Sequence, residues 1–168
     1  MKILLVEDDN MHADFLMEIV EHALPEFDEI LLAHNGKEAE TLAHQHQISA
    51  IVMDLRMKEH NGIEAARTIW AERPDSRILF WSNYSDEAYL RGITRIVPDQ
   101  AAYGYVLKTA TQDKMRLALR AVLIEAQIVV DREVHQIQAQ QMRSRSALTE
   151  FEYLILLDLA LGLPDKAI

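Results

Sequence analysis

Four short apolar runs in this sequence each end in a polar side chain. Glu7 and Asp8 follow the first run, and Asp54, Ser82 and Lys108 each follow a later one. Carboxylates that lie close together resist ionisation unless a cation is present, and a small set of oxygen ligands suits Mg²⁺. A hydroxyl and an ammonium both bind phosphoryl oxygens. These residue types together predict a divalent-cation and phosphoryl site.

The chemistry that this set predicts is nucleophilic attack by a carboxylate oxygen of Asp54 on phosphorus. Mg²⁺, Ser82 and Lys108 would hold the phosphoryl oxygens while negative charge builds on them. The product would be an aspartyl phosphate.

The elements that must position these residues alternate between strand-like and helix-period segments. Strand-like runs fall near residues 2–6, 29–33, 49–53, 77–81 and 103–107, and helical segments fall near 11–24, 36–46, 62–72 and 86–95, with a fifth from about Thr111. This alternation predicts a parallel sheet with helices on both faces. The carboxyl ends of such strands share one edge, where open α/β folds place their sites. Residues 1–126 are interpreted as one doubly wound α/β domain.

The first helical segment has one apolar face at helical spacing. Phe15, Leu16, Ile19, Val20 and Ala23 are predicted to be buried on that face, and Asn10 is predicted to cap the helix.

Composition limits the class of protein. The chain has 168 residues, 49% hydrophobic residues, no cysteine and a formal net charge of −10. The hydrophobic content favours a packed core, and the acidic balance disfavours nucleic acid as a partner of this segment. The early acids exclude a secretory signal, and no run reaches the length of a membrane span, so a cytoplasmic protein is expected.

The C-terminal quarter has a different pattern. Residues 127–146 are interpreted as a helical linker, either continuous with the fifth helix or broken near residues 128–130. Two roles stay open for its apolar stripe, a solvated connector or a dimer-forming seam. In residues 147–168, Thr149 and Glu152 have the spacing of a capping box and Gly162 marks a helix end.

The strand-end residues resemble the receiver domain of a bacterial two-component response regulator. The acidic pair matches Glu7 and Asp8, and the phosphoacceptor matches Asp54, which is followed by Gly62 at the family spacing. The resemblance implies that Ser82 and Tyr105 are switch residues and Lys108 the conserved lysine. It also implies that Mg²⁺ is held by Glu7, Asp8, Asp54 and the backbone carbonyl of Arg56.

The resemblance implies a flavodoxin-like fold of five parallel strands in the order 2-1-3-4-5. The expected partners are a sensor histidine kinase and a second copy in a homodimer, with no membrane. Several positions depart from the family pattern: Lys58 and Thr109 replace the usual prolines, Asn83 replaces a small residue, and residues 95–101 are longer than usual.

The tail resembles the opening of a helix-turn-helix domain of the LuxR/NarL type. The matching residues begin at Leu148 and continue to Ile168, and they cover the first helix and the start of the second. The recognition helix would lie beyond them, so a transcription regulator is expected that binds DNA only through the missing remainder.

Two other functions are left open. A phosphatase of the haloacid-dehalogenase kind also uses a strand-end aspartate with Mg²⁺, but it needs a second aspartate where Arg56 stands. The other alternative is a receiver that signals by dimerisation without phosphorylation.

Overall fold

The structure is a computed structural model, and it describes residues 1–57, 61–83 and 87–130. Strands and helices alternate along these residues. The strands are β1 (Lys2–Val6), β2 (Glu29–Ala33), β3 (Ala50–Met53), β4 (Arg77–Ser82), β5 (Ala102–Leu107) and β6 (Val129–Val130). The helices are α1 (Asn10–Ala23), α2 (Gly36–His46), α3 (Gly62–Glu72), α4 (Glu87–Ile96) and α5 (Gln112–Leu123).

The described strands form one parallel sheet in the order β2-β1-β3-β4-β5-β6. The predicted α/β class, parallel sheet and order 2-1-3-4-5 are confirmed. The strand β6 was not predicted. It lies beside β5, with Gly104 opposite Val129 and Tyr105 opposite Val130.

The strand β6 corrects one expectation about the linker. Residues 127–130 were assigned to a helical linker, but α5 ends at Leu123 and no helix includes residues 127–130. The β-branched Val129 and Val130 instead pack against opposite faces of the sheet, where they gain burial that a solvated helix would not provide. The rest of the linker and residues 147–168 lie outside the described residues, and the boundary at residue 126 stays a prediction.

The core has two layers, one on each face of the sheet. Alternate strand residues such as Leu4 and Ile51 pack with α2, α3 and α4, and Ile3 and Leu5 pack with α1 and α5. Burial on both faces explains why the central strands are continuous apolar runs. None of the helices within the described ranges is long and apolar enough to cross a membrane.

Helix α1 differs in two details from its prediction. Asp9, not Asn10, is the N-cap, because the Asp9 side chain accepts a hydrogen bond from the backbone N–H of His12. Leu16, Ile19 and Val20 are buried as predicted, but Phe15 is 37% exposed. Phe15 lies at the margin of the buried face, where its ring stacks on Trp81 with centroids 6.3 Å apart.

Backbone hydrogen bonds extend the sheet by one residue at its carboxyl edge. The N–H of Glu7 donates to Ala33 O at 3.0 Å, that of Asp54 to Val6 O at 3.0 Å, and that of Lys108 to Ser82 O at 2.8 Å. The backbone of these three residues is therefore held by the sheet, although each residue lies just beyond the end of its strand.

Candidate functional site

A cavity of about 300 Å³ lies at the carboxyl edge of the sheet. It joins residues from the ends of β1, β3, β4 and β5 with the start of α1. The described residues that line it are Glu7, Asp8, Asp9, His12, Asp54, Arg56, Asn83 and Lys108.

Glu7 is fully buried at the base of this cavity and has partners for both carboxylate oxygens. Its Oε1 accepts a hydrogen bond from the ammonium of Lys108, and its Oε2 accepts one from the backbone N–H of Asp9 at 3.2 Å. Burial alone would raise the pKa of Glu7, but hydrogen bonds from Lys108 and Asp54 and the charge of Lys108 outweigh it and lower the pKa. Glu7 is therefore the ionised member of the pair that it forms with Asp54.

Asp54 is 5% exposed and lies against Glu7. Burial, followed by the hydrogen bond to Glu7 and the charge of Glu7, raises the pKa of Asp54 to about 8, although the charge of Lys108 acts in the opposite direction. Two carboxylates this close share one proton in the absence of a cation. A divalent cation would replace that proton and leave Asp54 ionised.

Lys108 contacts both Glu7 and Asp54 and also the ring of Trp81. Its ammonium hydrogen-bonds to Glu7 and lies 3.6 Å from Asp54 Oδ2. It also lies 4.8 Å from the ring centroid of Trp81, within cation–π range. The side chain is 6% exposed, so this charge acts with little screening by water.

The structure brings Glu7, Asp8, Asp54 and Lys108 together, as the sequence predicted, and Arg56 lies on the wall of the same cavity. Ser82 and Tyr105 are both fully buried and are not among the described residues that line the cavity. Ser82 is nevertheless adjacent to the site, because its backbone carbonyl accepts the N–H of Lys108.

Sequence reasoning missed Asp9 and His12. Neither residue was among the predicted site residues. The Asp9 cap turns the first residues of α1 over the cavity, so His12 Nδ1 lies 3.3 Å from Lys108 Nζ and 3.0 Å from Asp9 Oδ2. An N-cap side chain commonly bonds to the backbone N–H three residues later, as Asp9 does to His12. This spacing is the sequence signal that could have placed both residues near the site.

Three carboxylates could hold a metal ion. Glu7, Asp8 and Asp54 each offer an oxygen, and these oxygens lie within 4.8 Å of one another. Asp8 is exposed while the other two are buried, so the cluster opens to solvent on one side. Hard oxygen donors with room for water fit Mg²⁺.

The family model of the response regulator receiver domain matches residues 3–120 of this chain. The chain belongs to that family. One relative of this receiver chain is YdfI, a transcriptional regulatory protein of Bacillus subtilis (strain 168). It is 32% identical over 176 residues, which cover 99% of this chain and 78% of YdfI.

Solved receiver structures agree in fold. A LuxR-family two-component response regulator from Aurantimonas sp. SI85-9A1 superposes with a TM-score of 0.73 at 23% identity, over 84% of this chain and 96% of that chain. The receiver domain of a sensor histidine kinase from Pseudomonas aeruginosa PAO1 has a TM-score of 0.61 at 19% identity, over 73% of this chain and 96% of that chain. It holds a magnesium ion in its active-site cleft. The resemblance to the receiver domain of response regulators is confirmed.

Proposed function

We propose that this receiver is phosphorylated on Asp54 by a sensor histidine kinase with the help of Mg²⁺. The supporting observation is the cluster of Glu7, Asp8 and Asp54, whose oxygens lie within 4.8 Å of one another beside the ammonium of Lys108. An oxygen of Asp54 would attack the phosphorus of a phosphohistidine, and the bond from phosphorus to the imidazole nitrogen would break.

Mg²⁺ would be held by the carboxylates of Glu7, Asp8 and Asp54 and by the backbone carbonyl of Arg56. When bound, the ion would neutralise charge on the carboxylates and on the incoming phosphoryl oxygens. The magnesium ion in the Pseudomonas aeruginosa receiver supports this assignment. Lys108 would direct an N–H group toward a phosphoryl oxygen with little movement, because its ammonium is already 3.6 Å from Asp54 Oδ2.

The output would be a shift between two states that involves Ser82 and Tyr105. The Ser82 hydroxyl would bind the phosphoryl group, and Tyr105 would change its packing with it. Because Tyr105 lies opposite Val130 in the sheet, β6 would carry this change toward the segment that follows. We also infer dimerisation, and DNA binding through a helix-turn-helix domain of the LuxR type.

The experiment is phosphorylation by an acyl-phosphate donor with Mg²⁺. The wild type should gain one hydroxylamine-sensitive phosphoryl group per chain, measured by mass spectrometry, and Asp54→Asn should gain none. Asp75→Asn is the matched control, because Asp75 is an exposed acid at the opposite edge of the sheet and should not affect uptake. Equal labelling of Asp54→Asn, or no labelling of the wild type, would reject the proposal.

A second candidate is a receiver that acts by pairing alone. The observation that favours it is that both oxygens of Glu7 already have hydrogen-bond partners within the protein. A dimer whose mass by light scattering is unchanged by the donor and by Asp54→Ala would support this candidate. The phosphatase alternative has no second carboxylate at Arg56, where such an enzyme needs its acid and base.

A further inference from the structure

We propose that His12 is a positioning residue for Lys108. In this arrangement Nδ1 of His12 accepts one hydrogen bond from the Lys108 ammonium and thereby directs another of its N–H groups toward Asp54. The inference rests on the proposed function of Asp54 and adds a residue that sets the rate at that site.

The argument begins with the donors of Lys108. An ammonium has three N–H groups, and when it is buried each needs an acceptor. Glu7 Oε1 accepts one, and His12 Nδ1 lies 3.3 Å from Lys108 Nζ, at the distance of a second hydrogen bond. Asp54 Oδ2 lies at 3.6 Å. With two donors engaged, the ammonium cannot rotate freely, and its third donor is left for oxygens bound at Asp54.

The ring of His12 is held in place although its side chain is 42% exposed. The backbone N–H of His12 donates to Asp9 Oδ2 at 3.1 Å, which fixes the first turn of α1. The ring meets Trp81 edge-on, with centroids 5.9 Å apart and an interplanar angle of 73°. Trp81 also lies beneath the Lys108 ammonium. The same ring therefore contacts both His12 and Lys108.

Asp9 competes with Lys108 for the same ring nitrogen. His12 Nδ1 lies 3.0 Å from Asp9 Oδ2. Without a hydrogen, Nδ1 accepts from Lys108, and with a hydrogen it donates to Asp9, so it serves one partner at a time. Replacing the Asp9 carboxylate by another capping side chain should therefore leave Nδ1 of His12 to accept the hydrogen bond from Lys108 without competition.

The test is the rate of phosphorylation of the full chain by an acyl-phosphate donor with Mg²⁺, measured over a range of donor concentrations. His12→Leu keeps the bulk of the side chain but has no acceptor, whereas the side-chain oxygen of His12→Asn lies near the position of Nδ1. We expect His12→Leu to lower the maximal rate about 5-fold, the effect of losing one hydrogen bond, at an unchanged half-saturating donor concentration. His12→Asn should stay within about 2-fold of the wild type.

Equal rates for His12→Leu and the wild type would overturn the inference, and so would equally slow Leu and Asn variants, since these would show a merely structural role. Asp9→Ser retains a capping side chain and should phosphorylate at least as fast as the wild type. If Asp9→Ser lost as much of the phosphorylation rate as His12→Leu, the inference that Asp9 and Lys108 compete for Nδ1 of His12 would be contradicted.

A second measurement separates this inference from the proposed function. The ammonium protons of Lys108 should exchange slowly enough for detection by nitrogen-15 NMR in the wild type and in His12→Asn, and they should be lost in His12→Leu. This pattern in a chain that takes up no phosphoryl group would reject phosphorylation and keep the positioning role. A signal retained in His12→Leu would reject the positioning role alone.

Discussion

The two edges of the sheet carry cavities of opposite character. The cavity at the carboxyl edge has a volume of about 300 Å³ and contains the buried groups Glu7, Asp54 and Lys108. The cavity at the amino edge is larger, about 1040 Å³, and its lining includes Lys2 and Asp28. The ion pair there between Asp28 and the N-terminal amine is exposed, with side-chain exposures of 82% and 60%.

The difference teaches that burial of charge, not cavity volume, marks the functional edge. A charge costs free energy to bury, and at the carboxyl edge three such groups are held together by backbone hydrogen bonds that extend the strands. An exposed ion pair at the amino edge is weakly coupled to folding because water and salt screen it. Substitutions at the two edges should therefore have very different effects.

The largest effect is expected for Lys108→Met. It removes the cation from fully buried Glu7, so we expect the free energy of unfolding to fall by about 3–5 kcal/mol at pH 7, measured by urea titration in EDTA. The Lys108 hydrogen bond is one cause of the lowered pKa of Glu7. Without it, burial raises that pKa, Glu7 takes up a proton more readily, and the deficit should shrink at pH 5. A deficit that grows on acidification would show that Lys108 does not stabilise ionised Glu7.

Gly62→Ala tests how closely the backbone behind the site is packed. A Cβ on Gly62 would lie 2.3 Å from the Asp54 carbonyl oxygen and 2.9 Å from Met53 Cγ, so the backbone of the acceptor must move. We expect a loss of about 2–3 kcal/mol together with slower phosphorylation. Gly92→Ala is the matched control, because the three atoms nearest to its Cβ would all belong to the side chain of Ile63. Similar losses for both variants would mean that the contact with Asp54 has no special role.

The sequence predicted most of the carboxyl edge because each site residue follows a buried strand. Asp54 and Lys108 could be placed from strand ends alone, since parallel strands end at one edge. His12 could not, because its approach to Lys108 depends on the angle at which α1 starts from the Asp9 cap. The strand β6 was also missed, because two valines are too short a run to predict a strand. The turn before β6 has Ala126 at a positive φ of 55°, and alanine at this position does not indicate such a turn.

Asp54→Asn should stabilise the metal-free protein. The pKa of Asp54 is raised from 3.8 to about 8, so the folded state keeps a proton that the unfolded state releases. This contribution to stability is fully present below pH 3.8 and is lost as the pH rises to about 8. The variant lacks that loss, so we expect the two proteins to match near pH 4 and the variant to be the more stable of the two at pH 8.

Thermal unfolding in EDTA at several pH values measures the difference between Asp54→Asn and the wild type. Mg²⁺ should then raise the Tm of the wild type more than that of Asp54→Asn, because the ion replaces the shared proton. A wild type whose stability in EDTA does not decline between pH 4 and 8 relative to the variant would show that Glu7 and Asp54 do not share a proton.

Asp28→Asn should have the smallest effect. The carboxylate accepts a hydrogen bond from the N-terminal amine at 2.9 Å, and this contact lowers the pKa of Asp28. Both groups are exposed, so the side chains stay solvated when the pair is broken, and no measurable change in Tm is expected at 150 mM salt. A clear loss of Tm would mean that the amino edge also couples its charges to folding, and the contrast between the two edges would then be one of degree.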